Sequence, residues 1–500
     1  MRRLSVPTWL ATAAAVTLVS AVAGAESVGP GDPETPSATG VRLAVPTPPE
    51  LYTGRRAQIF GTIYLERCRG GCTVTQGAND ARAMSSSIPD RPGAYTISEY
   101  RNGSGQTGTQ ADAEWGSLVQ CMREVYSPYN ITVTDARPAG TSYHLAIVAG
   151  LPQDIGLSSD ILGVAPLATD CSPQDNVISF SFANAHPQTD MVGRVNNLCW
   201  TAAQESAHAF GLDHQYEYVT DKRSACNDPM TYRADCGGQK FFRNQSASCG
   251  EFQTRPCRCG GTQNSHQKLL SVFDGGQSLI PAPSVAITTP RATDTVLGMF
   301  VAASAGSRRG VSRVELWVNG FKWAEARGAA FGPGGQPNPA PYGIQVPASL
   351  PSSVVDIQVR AYDDIGLYTE SAPMTLTHGA PCESADACAK GQKCEEGRCF
   401  WDPPAGEIGD ECAYSQFCIS GVCRGTAEKQ ICTQDCAPGV ENSCPSGFAC
   451  APTEPGHGIC FFPDDSGCCS TGGGGGGAPW APIGLATLTL GLLARARRRR

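Results

Sequence analysis

The sequence predicts a multidomain protein in three folded parts: an α+β domain, then an all-β sandwich, then a small module stapled by disulfides. Three observations carry this. Helical and strand periodicities alternate over residues 51–275, short alternating strands without cysteine fill 282–378, and twelve of the 24 cysteines crowd between Cys382 and Cys460. A chain of 500 residues accommodates roughly three to four domains. Glycine (57) and proline (37) are abundant while charged residues make up only 17%, a balance that favours loops and strands over a helical bundle. The net charge of −8 leaves no basic footprint, which disfavours nucleic acid as a partner.

The N-terminus reads as a secretory signal over residues 1–25. Arg2 and Arg3 precede an apolar run from Leu10 to Val22, and Ala23-Gly24-Ala25 supplies small residues for cleavage. That run is too short for a spanning helix. Export fits the cysteine content, because disulfides persist in oxidising compartments. Residues 26–50 are rich in Pro, Gly and Thr and read as a flexible leader or linker.

From 51 to 275 the pattern is mixed. AQIFGTIYLERC reads as an opening strand. In ADAEWGSLVQCMREVY the apolar residues Trp115, Leu118, Val119 and Met122 fall at helical spacing. ITVTDARP, SYHLAIVAG and NVISFSFAN read as strands, the second buried on both faces because it is almost continuously apolar. WTAAQESAHAFGLDH reads as a helix ended by Gly211.

The chemistry is carried by the run from Gln204 to His214, QESAHAFGLDH. Residues four apart on a helix share a face, so positions 204 and 208 can address one ion. Gly211 can adopt the left-handed conformation that ends a helix and turn the chain so that His214 returns toward the same point. Glu205 sits beside that face, placed to take a proton from water. The run resembles the zinc motif H-E-x-x-H-x-x-G-x-x-H of the metzincin peptidases, with Gln204 where the family has its first histidine. Asp228-Pro229-Met230-Thr231-Tyr232 resembles the metzincin Met-turn. The resemblance implies an α+β metzincin fold over 51–275, His208 and His214 as ligands to Zn2+, Glu205 as general base, Met230 under the metal and Tyr232 as an oxyanion stabiliser. Gln204 is the departure: a neutral amide oxygen is a poor zinc ligand beside an imidazole. Either another side chain completes the site, or the domain has kept the scaffold and lost the reaction. His144, His186 and His266 have no matching context and read as surface or structural residues. The domain's ten cysteines are even in number, and Cys226 and Cys236 bracket the Met-turn, where a bridge between them would stiffen it.

Residues 282–378 carry PSVAITTP, RVELWVNG and VVDIQVRAYDD, short alternating strands between Pro, Gly, Asn and Asp turns. This rhythm predicts a β-sandwich of immunoglobulin-like type, similar to spacer modules of bacterial surface proteins. Residues 380–465, with GQKC, SGVC and SGFAC recurring, have too few apolar residues for a core and read as disulfide-held rather than as a zinc ribbon. Residues 466–500 run from SGCCSTGGGGGG through a short apolar stretch to RARRRR. This order resembles the myxobacterial sorting signal MYXO-CTERM and implies retention at the cell surface or outer membrane, with Cys468 or Cys469 as a point of attachment. The expectation is therefore an exported, membrane-anchored zinc metalloendopeptidase acting on peptide or protein substrates. The alternative is a catalytically inactive pseudopeptidase serving as an adhesin or binding module.

Overall fold

The computed structural model describes residues 41–47, 61–140, 142–216, 228–232, 238–328, 339–425, 429–436, 443–454 and 457–463. The predicted signal peptide, the tail 466–500 and the pair Cys226 and Cys236 lie outside them. The chain is β-rich and multidomain, with a disulfide-stapled C-terminal region. It divides into two compact units, Met1–Trp401 and Asp402–Arg500.

In the first unit the N-terminal domain is built from β1 (Val41–Thr47), β2 (Thr62–Glu66), β3 (Cys72–Gln76), β4 (Ser85–Ser86), β5 (Ala94–Ile97), α1 (Asp112–Tyr126), β6 (Thr132–Thr134), β7 (His144–Val148), β8 (Ile161–Ala168), β9 (Ile178–Ser181), α2 (Met191–Ala209), β10 (Ser246–Ala247), β11 (Gln263–Asn264) and α3 (Ser265–Phe273). One six-stranded sheet runs in the order β1-β8-β9-β7-β2-β6. All neighbours are parallel except β8 and β9. As its almost continuously apolar run predicts, β7 is buried along its whole length. Helices α1 and α2 pack on each other and on the sheet, and the Cys121–Cys199 bridge ties them together.

Two corrections concern the sheet edge. Residues 41–47, expected within a linker, are a strand paired with β8 from Arg42↔Gly163 to Thr47↔Ala168. β8 itself, ILGVAPLA, was not anticipated, because Gly163 and Pro166 break its strand signature, yet every residue in it is buried.

The sandwich follows as β12 (Ser284–Thr289), β13 (Phe300–Gly306), β14 (Arg313–Val318), β15 (Phe321–Arg327), β16 (Ala340–Gln345), β17 (Ser353–Tyr362), β18 (Tyr368–Glu370) and β19 (Met374–His378). A β12-β13-β16 sheet faces a β15-β14-β17 sheet onto which β18 and β19 also pair, all antiparallel. In β17, Val355, Ile357, Val359 and Ala361 alternate inward, the period of a half-buried strand. Asn319 and Gly320, both at positive φ (49° and 84°), make the tight turn between β14 and β15 that an Asn-Gly pair favours.

The sandwich and the N-terminal domain meet through buried charge. Asp364 accepts two hydrogen bonds from Arg309, Nε and Nη2 each at 3.0 Å, and one from Arg243 Nη1 at 3.3 Å. Arg309 also donates to Phe242 O at 3.0 Å, and Arg243 to Arg309 O at 2.5 Å. Both arginines are almost fully buried.

The cysteine-rich region is not one module. Its first two bridges, Cys382–Cys394 and Cys388–Cys399, belong to the first unit. There Gly397 O accepts from Val354 N at 2.8 Å, and Trp401 packs on Phe321 and Trp323. The second unit holds Cys412–Cys423, Cys418–Cys432, Cys436–Cys450 and Cys444–Cys460. In each successive group of four cysteines the first pairs with the third and the second with the fourth. The recurring GQKC, SGVC and SGFAC mark the third cysteine each time. These thiols are bridged, so the metal-ribbon alternative falls away.

Candidate metal centre

α2 places the site. Asp190 caps its start, accepting from Gly193 N at 2.7 Å. Its C-terminal half, Leu198 to Ala209, is buried all round. A helix so enclosed should be apolar throughout, since buried polar groups are costly without partners. Gln204, Glu205, Ser206 and His208 break that rule at 0% exposure each. The Glu205 carboxylate is thus enclosed in the interior and not on a solvated helix face.

The helix ends as expected. Gly211 N donates to His208 O (3.0 Å) and Leu212 N to Ala207 O (3.1 Å), the paired bonds of a Schellman cap, with Gly211 at φ 89°. The turn brings His214 back to His208, their rings 4.5 Å apart and nearly perpendicular. His208 Nδ1 lies 2.8 Å from Leu212 O, and His214 Nδ1 lies 2.8 Å from Glu251 Oε1. A carbonyl or carboxylate oxygen only accepts, so each Nδ1 carries a proton and each Nε2 is left to face the other ring. Those two nitrogens face each other at 2.9 Å. At that separation the two nitrogens can share one proton or address one cation.

Neighbours hold this pair in place. Backbone bonds from Gln215 N to Met230 O (2.9 Å) and from Gly250 N to His214 O (3.0 Å) set the His214 segment between the Asp228–Thr231 turn and the Cys249–Cys259 loop. That loop is pinned by Cys249–Cys257 and Cys171–Cys259. Asp228 accepts from Met230 N at 2.8 Å and Arg243 N at 2.7 Å, which shapes the turn around the buried Met230. Burial raises the Asp228 carboxyl to about 6, against the pull of those two backbone donors.

Glu251 was not foreseen. Burial opposes its ionisation, yet hydrogen bonds from His214 and Arg255 hold its carboxyl well below the usual range. Asp213, His214 and Glu251 form a tight acidic cluster, but Arg255 bonds both carboxylates (2.6–2.8 Å) and already supplies the positive charge there. Glu251 therefore orients the His214 ring through its Nδ1.

Burial, followed by the nearness of His214, pushes His208 down to about 3, so the ring is neutral and able to ligate at ordinary pH. Burial pushes the Glu205 carboxyl well above its usual range, and the charge of Arg42 partly offsets this. Neither polar atom of the Gln204 side chain, nor either oxygen of Glu205, finds a hydrogen-bond partner among the described residues. Gln204 thus stands one turn before His208 on α2 with an uncommitted amide oxygen.

Tyr232 is brought in, with its ring 4.8 Å from that of His214, but its hydroxyl is engaged. It accepts from Arg42 N at 3.0 Å and donates to Arg42 O. The sequence carried no sign of Arg42, whose guanidinium is fully buried against Trp200, Thr201 and Asn197. The three remaining histidines expected at the surface or in structural roles are all buried. His144 bonds Ser179 and His266 bonds Tyr129, while neither ring nitrogen of His186 has a partner among the described residues. Of the domain's ten cysteines, eight form the bridges Cys68–Cys72, Cys121–Cys199, Cys171–Cys259 and Cys249–Cys257, so none of those eight is a thiolate ligand.

No family model matches the chain, and neither does any curated protein. Among solved structures, the Clostridium thermocellum CbhA fibronectin(III)-like modules are similar at 19% identity, over 19% of this chain and 96% of that one, with a TM-score of 0.15.

Proposed function

We propose that the N-terminal domain is a metzincin-type zinc endopeptidase, exported and held at the cell surface by the C-terminal segment. The convergence of the His208 and His214 Nε2 atoms at 2.9 Å, each with its Nδ1 committed elsewhere, is the observation that carries this reading. His208 and His214 would hold the zinc, with the Gln204 amide oxygen as third donor. Zinc, when bound, supplies Lewis acidity toward water and the scissile carbonyl. Glu205 takes the proton of the attacking water and returns it to the leaving amine. Tyr232, once free of Arg42, donates to the developing oxyanion. Glu251 fixes the His214 tautomer. Disulfides throughout the chain agree with an oxidising compartment. Among the described residues no helix is long and apolar enough to cross a membrane.

Metal analysis of the purified chain tests the proposal. One zinc per chain is expected, lost in His208→Ala. Glu251→Gln should weaken zinc binding about 10–100-fold. Proteolysis should disappear with chelator and with Glu205→Ala.

The substitution at Gln204 favours a second reading, a pseudopeptidase whose cleft grips a peptide without cutting it. A metal-free chain with chelator-resistant peptide binding would establish it. So would Gln204→His if that change created zinc binding and cleavage absent from the parent.

A further inference from the structure

The edge of the sheet holds a ligand of the protein's own making. β1 touches the sheet only through β8, as an added strand does when a peptide augments an exposed edge. Its burial is uneven: Arg42 and Thr47 are enclosed, whereas the residues between them are half-buried or exposed. Arg42 lies in register with Gly163. At Gly163 even a Cβ would meet Glu205 Oε1 at 2.5 Å and Thr201 Cγ2 at 2.8 Å, so β8 passes close to the α2 carboxylate at this point. The backbone of Arg42 is clasped there by the Tyr232 hydroxyl on both its N–H and its carbonyl.

The side chain of Arg42 fills a shaped pocket. Nε donates to Thr201 Oγ1 at 2.9 Å, Nη2 donates to Asn197 Oδ1 at 2.8 Å, and the guanidinium lies 3.7 Å from the centre of the Trp200 ring. Trp200 is itself fixed by its Nε1 bond to Pro229 O at 2.9 Å. Asn197, Thr201 and Glu205 follow at four-residue spacing, one stripe of α2 that leads from the pocket to the carboxylate. Two oxygen acceptors and an aromatic face suit a planar fork, and a lysine ammonium cannot span both acceptors while lying flat on the ring.

We propose that the outer edge of β8, with the Asn197–Trp200–Thr201 pocket, is a binding site for extended peptides selective for arginine, and that Val41–Thr47 is its resident internal occupant. While the leader strand is seated, it covers the edge and occupies the Tyr232 hydroxyl. Release of the leader opens the edge to an arginine-bearing peptide from another protein. This rests on reading the cleft as a peptide site, which the peptidase and pseudopeptidase readings share, and it needs no metal.

The test uses the full chain with a specific protease site inserted between residues 48 and 60, cut or left intact, in chelator. A fluorescent peptide spanning residues 39–49 should bind the cut chain at least tenfold more tightly than the same peptide with Arg42→Ala or Arg42→Lys, and the intact chain should not bind it. Asn197→Leu with Thr201→Val should remove the preference for arginine. Binding of the alanine peptide within twofold of the parent, or equal binding by the intact chain, overturns the proposal. Should the cut chain keep its own strand or fail to fold, hydrogen exchange on the intact chain decides. Arg42→Ala should speed exchange across Val41–Thr47 at least tenfold without changing the sandwich, and unchanged exchange there overturns the proposal. Peptide binding in chelator by a chain that, purified without chelator, holds no zinc and cleaves nothing would end the peptidase reading and leave this one in place.

Discussion

Replacing Asp364 with alanine is expected to cost about 3–5 kcal/mol, the loss typical of removing one partner from a buried ion pair. Asp364 is the anion shared by Arg309 and Arg243, both almost fully buried where the sandwich meets the N-terminal domain. Without it, two guanidiniums stay in a poorly solvating interior stripped of the carboxylate they share. Burial alone would raise the Asp364 carboxyl, but the charges of Arg309 and Arg243 hold it down to about 2. The unfolded carboxyl titrates near 3.9. Because the folded pKa is the lower one, its contribution is complete above about pH 4 and fades as pH falls toward 2. Urea unfolding of parent and variant at pH 7, 3 and 2 checks both points. A gap that is below about 1 kcal/mol at pH 7, or that fails to narrow in acid, would show that the interface does not depend on this carboxylate.

Gly211→Ala is the second change with a large expected effect. At φ 89° an L side chain is strained, by about 1–2 kcal/mol. A Cβ would also lie 2.1 Å from Cys171 O, a backbone atom tethered by the Cys171–Cys259 bridge and so unable to retreat freely. Overpacking of that kind adds about 1–3 kcal/mol. Relief requires the turn to open, which carries His214 away from His208. The variant should therefore unfold at lower temperature and lose metal affinity together, read by thermal melts and cobalt titration. A variant with the parental melting temperature and parental metal uptake would contradict the role given to this turn.

What was legible in the sequence follows from the range of the interaction. Gln204, Glu205, His208, Gly211 and His214 sit within eleven residues, where helical spacing and one glycine fix their relation, so the convergence of the imidazoles could be anticipated. The sandwich showed itself through alternation and an Asn-Gly turn, both local signals. β1 escaped because Pro46 and the leader's composition disguise a strand whose partner lies about 120 residues away in sequence. Glu251 and Arg42 escaped for the same reason: each reaches the site from a distant segment, and no local pattern marks a carboxylate that orients a histidine or an arginine that fills a pocket. Counting the cysteines indicated bridges, while which thiol met which awaited the fold.

The closed pairing of each four-cysteine group bears on how the chain matures. Bridges that span only 11 to 16 positions can form as each stretch folds, with three alternative pairings to sort among four thiols rather than the far larger number open to all twelve at once. A group could likewise be duplicated or deleted during evolution without stranding a thiol in its neighbour, so the number of such groups is free to vary while the rest of the chain stays as it is.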